Sequence, residues 1–267
     1  MGVEASLQDL YRLSSLGKMA ALMSVERSRL VSDAIDWPAE RDIPHHVQTV
    51  IDTASVSNLS DSEFGNTGTL RQKREVVLTG ATGFLGSEIL RALLHDPSVS
   101  HIHCIAGSPG DQKQIQKFLG GSSRVFLYMG SLLSPTLGLS PDQIQYVQGC
   151  MSQIIHAGAQ EHCLNNHTSL RSANLLSTQT LATSAIPRRV PLHFISSGRV
   201  IIQSGACQAN AESMTAYPSP ADGSEGFTAS KWASEAFLEN FRAHAHCLSS
   251  STEPVQSSVI AQRPTTR

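Results

Sequence analysis

The sequence has few charges, few aromatic side chains and no long apolar run. Of its 267 residues, 16% are charged and 5% are aromatic, and the formal net charge is −2. A nearly neutral chain gives no reason to expect a nucleic acid or an anionic membrane as a partner. No apolar stretch approaches the roughly 18 residues that a membrane span needs, and the N-terminus lacks the pattern of a signal peptide. We therefore expect a cytoplasmic protein without nucleic-acid or membrane partners.

Cysteine is also sparse and follows no recognisable pattern. The five thiols are widely spaced and include no CxxC pair: Cys104, Cys150, Cys163, Cys207 and Cys247. Neither a zinc motif nor a disulfide framework is indicated, and free thiols fit the reducing cytoplasm. The eleven histidines show no ligand-like spacing either. The sequence thus predicts no metal site.

The chain does contain enough apolar sequence for one α/β domain with an appendage, since 40% of its residues are hydrophobic. Residues 1–50 carry apolar side chains at helical spacing and favour short amphipathic helices. Residues 51–74 are rich in Ser, Thr, Asn, Asp and Gly, which is the composition of a flexible linker. In residues 75–267, short apolar runs alternate with helical patterns.

That alternation predicts an α/β fold with a Rossmann-like, doubly wound parallel sheet. Strands are predicted at residues 76–79, 101–106, 124–129, 153–156, 191–196 and 255–261. Helices are predicted at residues 84–94, 112–119, 141–149, 169–185 and 224–246. Strands that alternate with helices imply βαβ crossovers, and these place helices on both faces of a parallel sheet.

The first predicted strand runs into a glycine-rich turn, residues 80–86, with the sequence Gly-Ala-Thr-Gly-Phe-Leu-Gly. Gly80 permits a tight turn, Gly83 lets the backbone approach a pyrophosphate, and Gly86 lets the following helix pack close to the strand. The backbone N–H groups and the dipole of that helix would stabilise the anion. A strand before the turn and a helix after it favour dinucleotide binding over a glycine-rich loop without a ligand.

Residues 76–86 resemble the extended short-chain dehydrogenase/reductases. More narrowly, they are similar to the thioester reductase domains, of the male-sterility-type NAD-binding family, in fungal polyketide and non-ribosomal peptide synthases. Further motifs of that subfamily lie, in family order, at residues 101–106, 137–140, 154–159, 169–174, 191–197 and 230–235. The resemblance spans about residues 75–265. It implies an oxidoreductase of secondary metabolism that uses NADPH to release a carrier-bound acyl or peptidyl thioester.

The N-terminal residues carry a second resemblance. Residues 1–50 resemble the last helices of a carrier domain, and residues 35–40 (Ile-Asp-Trp-Pro-Ala-Glu) are similar to the carrier–reductase junction of fungal hybrid synthases. This resemblance implies that the carrier serine is absent and that residues 75–267 lack the C-terminal substrate portion of the family. We expect a fragment or relative of a synthase, with a carrier-bound thioester and possibly such a synthase as partners.

The resemblance also implies a catalytic set. In the family, a Ser or Thr after the fifth strand joins a Tyr-x-x-x-Lys on the next helix, and the Tyr protonates the developing alkoxide. The matching positions here are Ser197, Phe227 and Lys231. A phenyl ring donates no proton, and losing a general acid typically lowers the rate by about 10²–10⁴. Neither Thr228, which points away on a regular helix, nor Tyr217, ten residues earlier, is expected to substitute.

Cofactor positions also depart from the family. The resemblance assigns cofactor contacts to Thr79, Gly80, Thr82, Gly83, Phe84, Leu85, Gly86 and Lys231. The stretch 106–110 offers neither an Arg for the 2′-phosphate of NADP nor an Asp for a free ribose hydroxyl. Ser131 stands where the family has an Asp that reaches the adenine, and Ala157 stands where an Asn is common. The sequence leaves open whether NADPH still binds.

Each site residue also has a simpler interpretation. Ser197 could cap backbone groups at a strand end, and Lys231 by itself could be a solvated lysine. His156 and His193, at the ends of strands, favour structural roles. Three functions therefore stay open: a thioester reductase-like release enzyme, a redox-inactive Dieckmann-type cyclase that needs a base and oxyanion stabilisation, and a non-catalytic fragment.

Overall fold

The computed structural model describes residue 17 and residues 35–57, 73–107, 109–119, 122–162, 164–203, 218–246 and 257–262. The helices that the sequence predicts before residue 35 therefore lie, residue 17 apart, outside the described residues. Among the helices that are described, none is long and apolar enough to cross a membrane.

Six parallel strands form a single sheet, with the order β3-β2-β1-β4-β5-β6. Their bounds are Arg74–Thr79 (β1), Val99–Ala106 (β2), Val125–Met129 (β3), Gln153–His156 (β4), Leu192–Ser197 (β5) and Ser257–Gln262 (β6). The chain starts in the centre, winds outward to β3, and then returns to lay β4 on the other side of β1. This arrangement confirms the predicted Rossmann-like, doubly wound sheet.

The helices flank the sheet in chain order. Their bounds are Trp37–Arg41 (α1), His45–Ser57 (α2), Phe84–His95 (α3), Pro109–Leu119 (α4), Pro141–Cys150 (α5), His167–Arg171 (α6), Ser177–Ala185 (α7), Gly198–Gln203 (α8) and Gly226–His246 (α9). A π-helical turn, Ser172–Leu176, joins α6 to α7. Sequence periodicity predicted one helix over residues 169–185 and did not predict α8.

Each face of the sheet has its own apolar core, because side chains alternate between the faces along a strand. Val76 and Leu78 of β1 pack with Leu90 of α3 and Ile115 of α4. On the opposite face, Val77 and its neighbours pack with α5, α7 and α9. The second core also takes in Val47 and Ile51 of α2. This helix crosses the boundary predicted between residues 50 and 51 and ends at Ser57, while the wider division into domains stays a prediction.

Helix α9 is buried on all sides over residues 228–238. Small residues such as Ala229, Ala233 and Ser234 allow close approach of the surrounding elements. Its outer side is covered by α1, where the indole of Trp37 meets that of Trp232 edge to face at 5.5 Å between ring centroids. Lys231 and Glu235, which this helix carries, are therefore both buried.

One carboxylate ties α1 to the domain. Both oxygens of Glu40 accept from Nε of Arg171 at 2.8 Å, and His167 Nε2 lies 3.4 Å from the same group. Burial alone would raise the pKa of Glu40, but the hydrogen bonds from His167 and Arg171 outweigh it and hold that pKa below its usual value. The ion pair therefore stabilises the fold above the lowered pKa, and its contribution is lost as the pH falls through it.

We expect Glu40→Gln to lower the free energy of unfolding by about 1–3 kcal/mol, because the charge of Arg171 loses its partly buried partner. Urea denaturation at pH 7 measures the change. The matched control is Glu88→Gln, which removes an exposed ion pair with Arg91 and should change stability by less than about 1 kcal/mol. Equal effects of the two substitutions would contradict the role given to Glu40.

Candidate functional site

The glycine turn between β1 and α3 has the backbone that a dinucleotide turn requires. Gly80 has φ +72°, and a Cβ there would lie 2.5 Å from the backbone nitrogen of Gly158. A Cβ on Gly86 would overlap the carbonyl oxygen of Gly80. Only glycine is therefore tolerated at both positions, and α3 packs directly against the end of β1, as the sequence predicts.

A cavity of about 300 Å³ opens beside this turn. Its wall consists of residues 80–83, the segments 105–107, 130–132 and 157–159 that end β2, β3 and β4, and Asp111 and Ile115 of α4. These segments lie at the carboxyl edge of the sheet, where doubly wound folds bind dinucleotides. The glycine-lined wall leaves room for a pyrophosphate against the backbone, so the residues present fit a dinucleotide.

A second, larger cavity lies on the α5–α7 side of the sheet. It has a volume of about 530 Å³ and a mainly apolar wall that includes Leu133, Val147 and Leu181. None of the predicted catalytic or cofactor residues lines it. We therefore place the candidate chemistry at the smaller cavity and its surroundings rather than here.

Thr79, the last residue of β1, joins that strand to β4. Its hydroxyl accepts from the backbone N–H of Gly158 at 3.0 Å and bonds Nδ1 of His156 at 2.6 Å. His156 is fully buried, and its Nε2 lies 3.4 Å from the hydroxyl of Ser177. Burial, together with the charge of Lys231, lowers the pKa of His156 to about 3. The ring is therefore neutral and holds the two strand ends together, which agrees with the structural role expected for it.

The cofactor residues predicted in and beside the turn differ in their position relative to the cavity. Gly80, Thr82 and Gly83 line the cavity. Thr79 and Gly86 are buried beneath the turn, Leu85 is half-buried, and Phe84 is 88% exposed. Contact between any of these side chains and a cofactor stays a prediction, but Thr79 and Gly86 support the turn from below.

Asp111 is a cavity residue that the sequence analysis missed. It lies in the first turn of α4, after β2, and contributes to the cavity wall. Ribose-binding residues were expected only at 106–110. The signal available was an acidic residue in the first turn of the following helix, one residue beyond that stretch.

Lys231 is buried rather than solvated, with 3% of its surface exposed. Its ammonium donates to the backbone oxygen of Ile195 at 2.8 Å and lies 4.4 Å from the centroid of the Phe194 ring. Burial lowers the pKa of Lys231 to about 8, although the negative charges of Glu235 and Glu161 act in the opposite direction. The amine is therefore partly neutral near physiological pH, when it can accept a proton as well as donate one.

Glu235 lies one turn after Lys231 on α9 and is also buried. Burial raises the pKa of this carboxyl to about 7, even though Ser196 donates a hydrogen bond to it and Lys231 lies nearby. A Lys and a Glu with pKa values moved toward each other are a feature of catalytic sites. The sequence analysis placed Glu235 in a family motif but gave it no role.

The structure brings Phe227 close to Lys231, since the ammonium lies 5.9 Å from the centroid of its ring. Ser197 ends β5, two residues after the carbonyl that Lys231 binds, and its hydroxyl accepts from the backbone N–H of Arg199 at 3.3 Å. Thr228 is buried in α9, and Tyr217 lies outside the described residues. The predicted set is therefore gathered around the end of β5, while its catalytic role stays a prediction.

Asn174 lies on the π-helical turn between α6 and α7, and this turn presents it to α9. Its amide nitrogen donates to the hydroxyl of Ser230 at 2.8 Å and to the backbone oxygen of Gln160 at 3.0 Å. Its oxygen accepts from the backbone N–H of Gln160 at 2.7 Å. π-Helical turns inside α-helices often occur at functional sites, and here the turn positions the residue that precedes Lys231.

Comparison with protein families gives one match that covers most of the domain. Residues 78–248 match a family of NAD-binding domains described as male sterility protein. The match starts in β1 and includes the glycine turn, the end of β5 and all of α9. It therefore covers every element that builds the candidate site.

Curated relatives are similar over nearly the whole chain. The chain is 43% identical, over 94% of its length, to a polyketide synthase-related protein of Alternaria cinerariae, of which it covers 51%. It is 40% identical, over 91% of its length, to a cyclo-acetoacetyl-L-tryptophan synthase of Aspergillus oryzae, of which it covers 6%. The chain thus spans about half of the first relative and a small part of the second.

Solved structures share the fold. The terminal R domain of the myxalamid PKS-NRPS pathway superposes with a TM-score of 0.62, at 22% identity, over 84% of this chain and 54% of that one. The reductase domain of a non-ribosomal peptide synthetase from Mycobacterium tuberculosis gives 0.56, at 20% identity, over 80% and 52%. At these identities the likeness concerns the fold alone.

The buried amine gives a test of the site's electrostatics. In the folded chain the pKa of Lys231 is about 8, against an ordinary value of 10.5, so the unfolded chain binds more protons between these values. The contribution of Lys231 to the free energy of unfolding should therefore rise with pH across that window, by on the order of 3 kcal/mol at most, while the raised pKa values of Cys104 and Cys150 act in the opposite direction. We expect Lys231→Met to remove this contribution, so that the free energy of unfolding of the unmodified chain rises relative to that of the variant between pH 7 and 9.5, as measured by urea denaturation.

The control for this experiment is Lys113→Met, which removes an exposed lysine of α4. It should keep the pH dependence of the unmodified protein. If Lys231→Met and the unmodified chain show the same slope of unfolding free energy against pH, burial does not lower the pKa of Lys231.

Proposed function

We propose that this chain, which belongs to the male sterility family of NAD-binding domains, is a thioester reductase-like release domain of secondary metabolism. The observation that carries the proposal is the dinucleotide turn with its cavity at the reversal of strand order. The substrate is an acyl or peptidyl chain held as a thioester on a carrier protein, and the partner is a polyketide or peptide synthase. The similarity to synthetases at about 40% identity supports both choices.

The chain's own residues would do the following work. The glycine turn and its cavity would hold a nicotinamide dinucleotide, which would supply the hydride that reduces the thioester carbonyl. The hydroxyl of Ser197 donates to the carbonyl oxygen and fixes its orientation, and Lys231 supplies positive charge as that oxygen becomes an alkoxide. Collapse of the tetrahedral carbon breaks the C–S bond, and the carrier thiol leaves with a proton. Glu235, through Ser196, holds the end of β5 in place.

Phe227 limits this chemistry. The ring lies where the family has its proton donor, and it has no hydroxyl to give to the alkoxide. We therefore expect slow reduction, with water as the proton source, because a positioned general acid typically contributes about 10²–10⁴ to the rate.

Phe227 also favours a second candidate, a redox-independent Dieckmann cyclisation. In that reaction a base removes a proton from carbon, the enolate carbon attacks the thioester carbonyl, a C–C bond forms and the thiol leaves. It needs a base and charge stabilisation but no hydride and no tyrosine. The pKa of about 8 at Lys231 suits such a base, and the relative from Aspergillus oryzae is named as a synthase of a cyclic product.

Phe227→Tyr separates these candidates. With an N-acetylcysteamine acyl thioester and reduced nicotinamide dinucleotide, we expect the variant to oxidise the cofactor about tenfold or more faster than the unmodified chain, since it restores the general acid. The loss of absorbance of the reduced cofactor measures the rate. The control Phe227→Leu alters the ring without adding a hydroxyl and should show no such gain.

Two results from assays of the unmodified chain would contradict the reductase proposal. Cyclisation of a β-ketoacyl aminoacyl thioester without oxidation of cofactor, by the unmodified chain, would establish the second candidate. If the chain neither binds a dinucleotide nor converts either thioester, both catalytic proposals fail and the non-catalytic fragment stands.

The identity of the dinucleotide depends on the cavity wall. The family resemblance implies NADPH, whereas the charged side chain found in the described wall is the acidic Asp111. A carboxylate repels the 2′-phosphate of NADPH and can accept hydrogen bonds from the ribose hydroxyls of NADH. We infer that this chain prefers NADH.

Fluorescence titration of the two cofactors tests this preference. We expect NADH to bind more tightly than NADPH. Asp111→Asn should lower the ratio of the dissociation constants of NADPH and NADH by roughly tenfold, because it removes the repulsive charge. Asp142→Asn, in the exposed first turn of α5, is the control and should leave the ratio unchanged. Tighter binding of NADPH by the unmodified chain would refute the inference.

A further inference from the structure

Three side chains form a cluster that has no part in the proposed release reaction. Glu75 is on β1, His103 is on β2 and Cys150 is the last residue of α5. His103 is fully buried, while Glu75 and Cys150 are partly exposed. The carboxylate oxygen, the ring nitrogen and the thiol all lie within 4.8 Å of one another.

The distances in this cluster match a tetrahedral metal site. His103 Nε2 lies 3.1 Å from a carboxylate oxygen of Glu75 and 3.6 Å from the sulfur of Cys150. A zinc ion binds nitrogen and oxygen at about 2.0–2.2 Å and sulfur at about 2.3 Å, so that tetrahedral ligand atoms are about 3.3–3.7 Å apart. The three donors could therefore meet one ion with small side-chain movements.

The surroundings of His103 also match those of a metal ligand. Its other ring nitrogen, Nδ1, lies 3.0 Å from the hydroxyl of Tyr128. The ring stacks on Phe126 with 5.3 Å between centroids. Histidine ligands in metal sites are usually held by such a second hydrogen bond, which fixes the tautomer and the direction of the free lone pair.

A second histidine lies beside the carboxylate of Glu75. His101 Nδ1 lies 3.3 Å from the second carboxylate oxygen of Glu75, but not in hydrogen-bond geometry. Within the described part of the chain, this buried nitrogen has no hydrogen-bond partner. His101 therefore adds a partner for the carboxylate of Glu75 without being a ligand of the cluster.

We propose that Glu75, His103 and Cys150 form a binding site for Zn²⁺, with a water molecule as the fourth ligand. Thiolate and imidazole donors select zinc over calcium or magnesium, which prefer oxygen ligands. On binding, the thiol of Cys150 releases its proton to solvent, and the thiolate and carboxylate together balance the charge of the ion. The ion would join β1, β2 and the end of α5, away from the dinucleotide cavity.

Cobalt titration of the full chain tests the proposal directly. After treatment with a chelator, the protein is titrated with Co²⁺. We expect one equivalent to produce the thiolate-to-cobalt charge-transfer band and the visible bands of a tetrahedral site, and Zn²⁺ to abolish both by displacement. Zn²⁺ should also raise the midpoint of thermal unfolding, because it binds the folded chain.

Two cysteine variants assign the site. Cys150→Ser should lose the charge-transfer band, whereas Cys104→Ala should keep it, because Cys104 is buried in the core on the opposite face of the sheet. A band that persists in Cys150→Ser, or no band in the unmodified chain, overturns the proposal.

Protection from alkylation gives a readout that needs no variant. Burial and the carboxylate of Glu75 raise the pKa of Cys150 to about 12, so iodoacetamide is used at about pH 9 with incubation until Cys150 of the metal-free protein is measurably modified. Zn²⁺ should suppress this modification, as mapped by mass spectrometry. Equal modification of Cys150 with and without Zn²⁺ would also overturn the proposal. This result stands even if Cys150→Ser fails to fold.

Discussion

A single buried hydroxyl sets the spacing on which the candidate site depends. Thr79 accepts from the N–H of Gly158 and bonds the ring of His156, which joins the ends of β1 and β4. These two strands flank the point where the order of the sheet reverses, and their loops can separate there to form a crevice. The position of Gly80 against Gly158 leaves no room for a Cβ. The hydroxyl and the two glycines thus fix the floor of the dinucleotide cavity.

The same packing makes the polar residues of α9 chemically unusual. Lys231 and Glu235 pack against the end of β5 and are both withdrawn from water, and burial is the main cause of each pKa shift. A lysine on the surface would keep its charge at every physiological pH. Burial therefore reduces the stability of the charged amine and, in return, gives the site a group able to exchange protons near neutral pH.

The residues that build the fold of this chain differ from those on which its proposed chemistry depends. The turn and the sheet order follow the pattern of NAD-binding domains, whereas the proposed changes of chemistry rest on two side chains, Phe227 and Asp111. Neither change disturbs the core, because Phe227 is half-buried and Asp111 lies at the cavity wall. A scaffold can therefore keep its stability while the residues that would set its chemistry vary.

The sequence by itself determined the parallel α/β fold and the glycine turn, because these depend on local periodicity and on the spacing of glycines between a strand and a helix, while the resemblance to a known family pointed to Ser197, Phe227 and Lys231. Only the tertiary structure decided the rest. The cluster of Glu75, His103 and Cys150 joins residues 28 and 47 positions apart, and α1 reaches α9 across the chain. Such contacts arise from strand register and helix packing, which no short spacing in the sequence encodes. Burial of Lys231, likewise, required knowing what covers its helix.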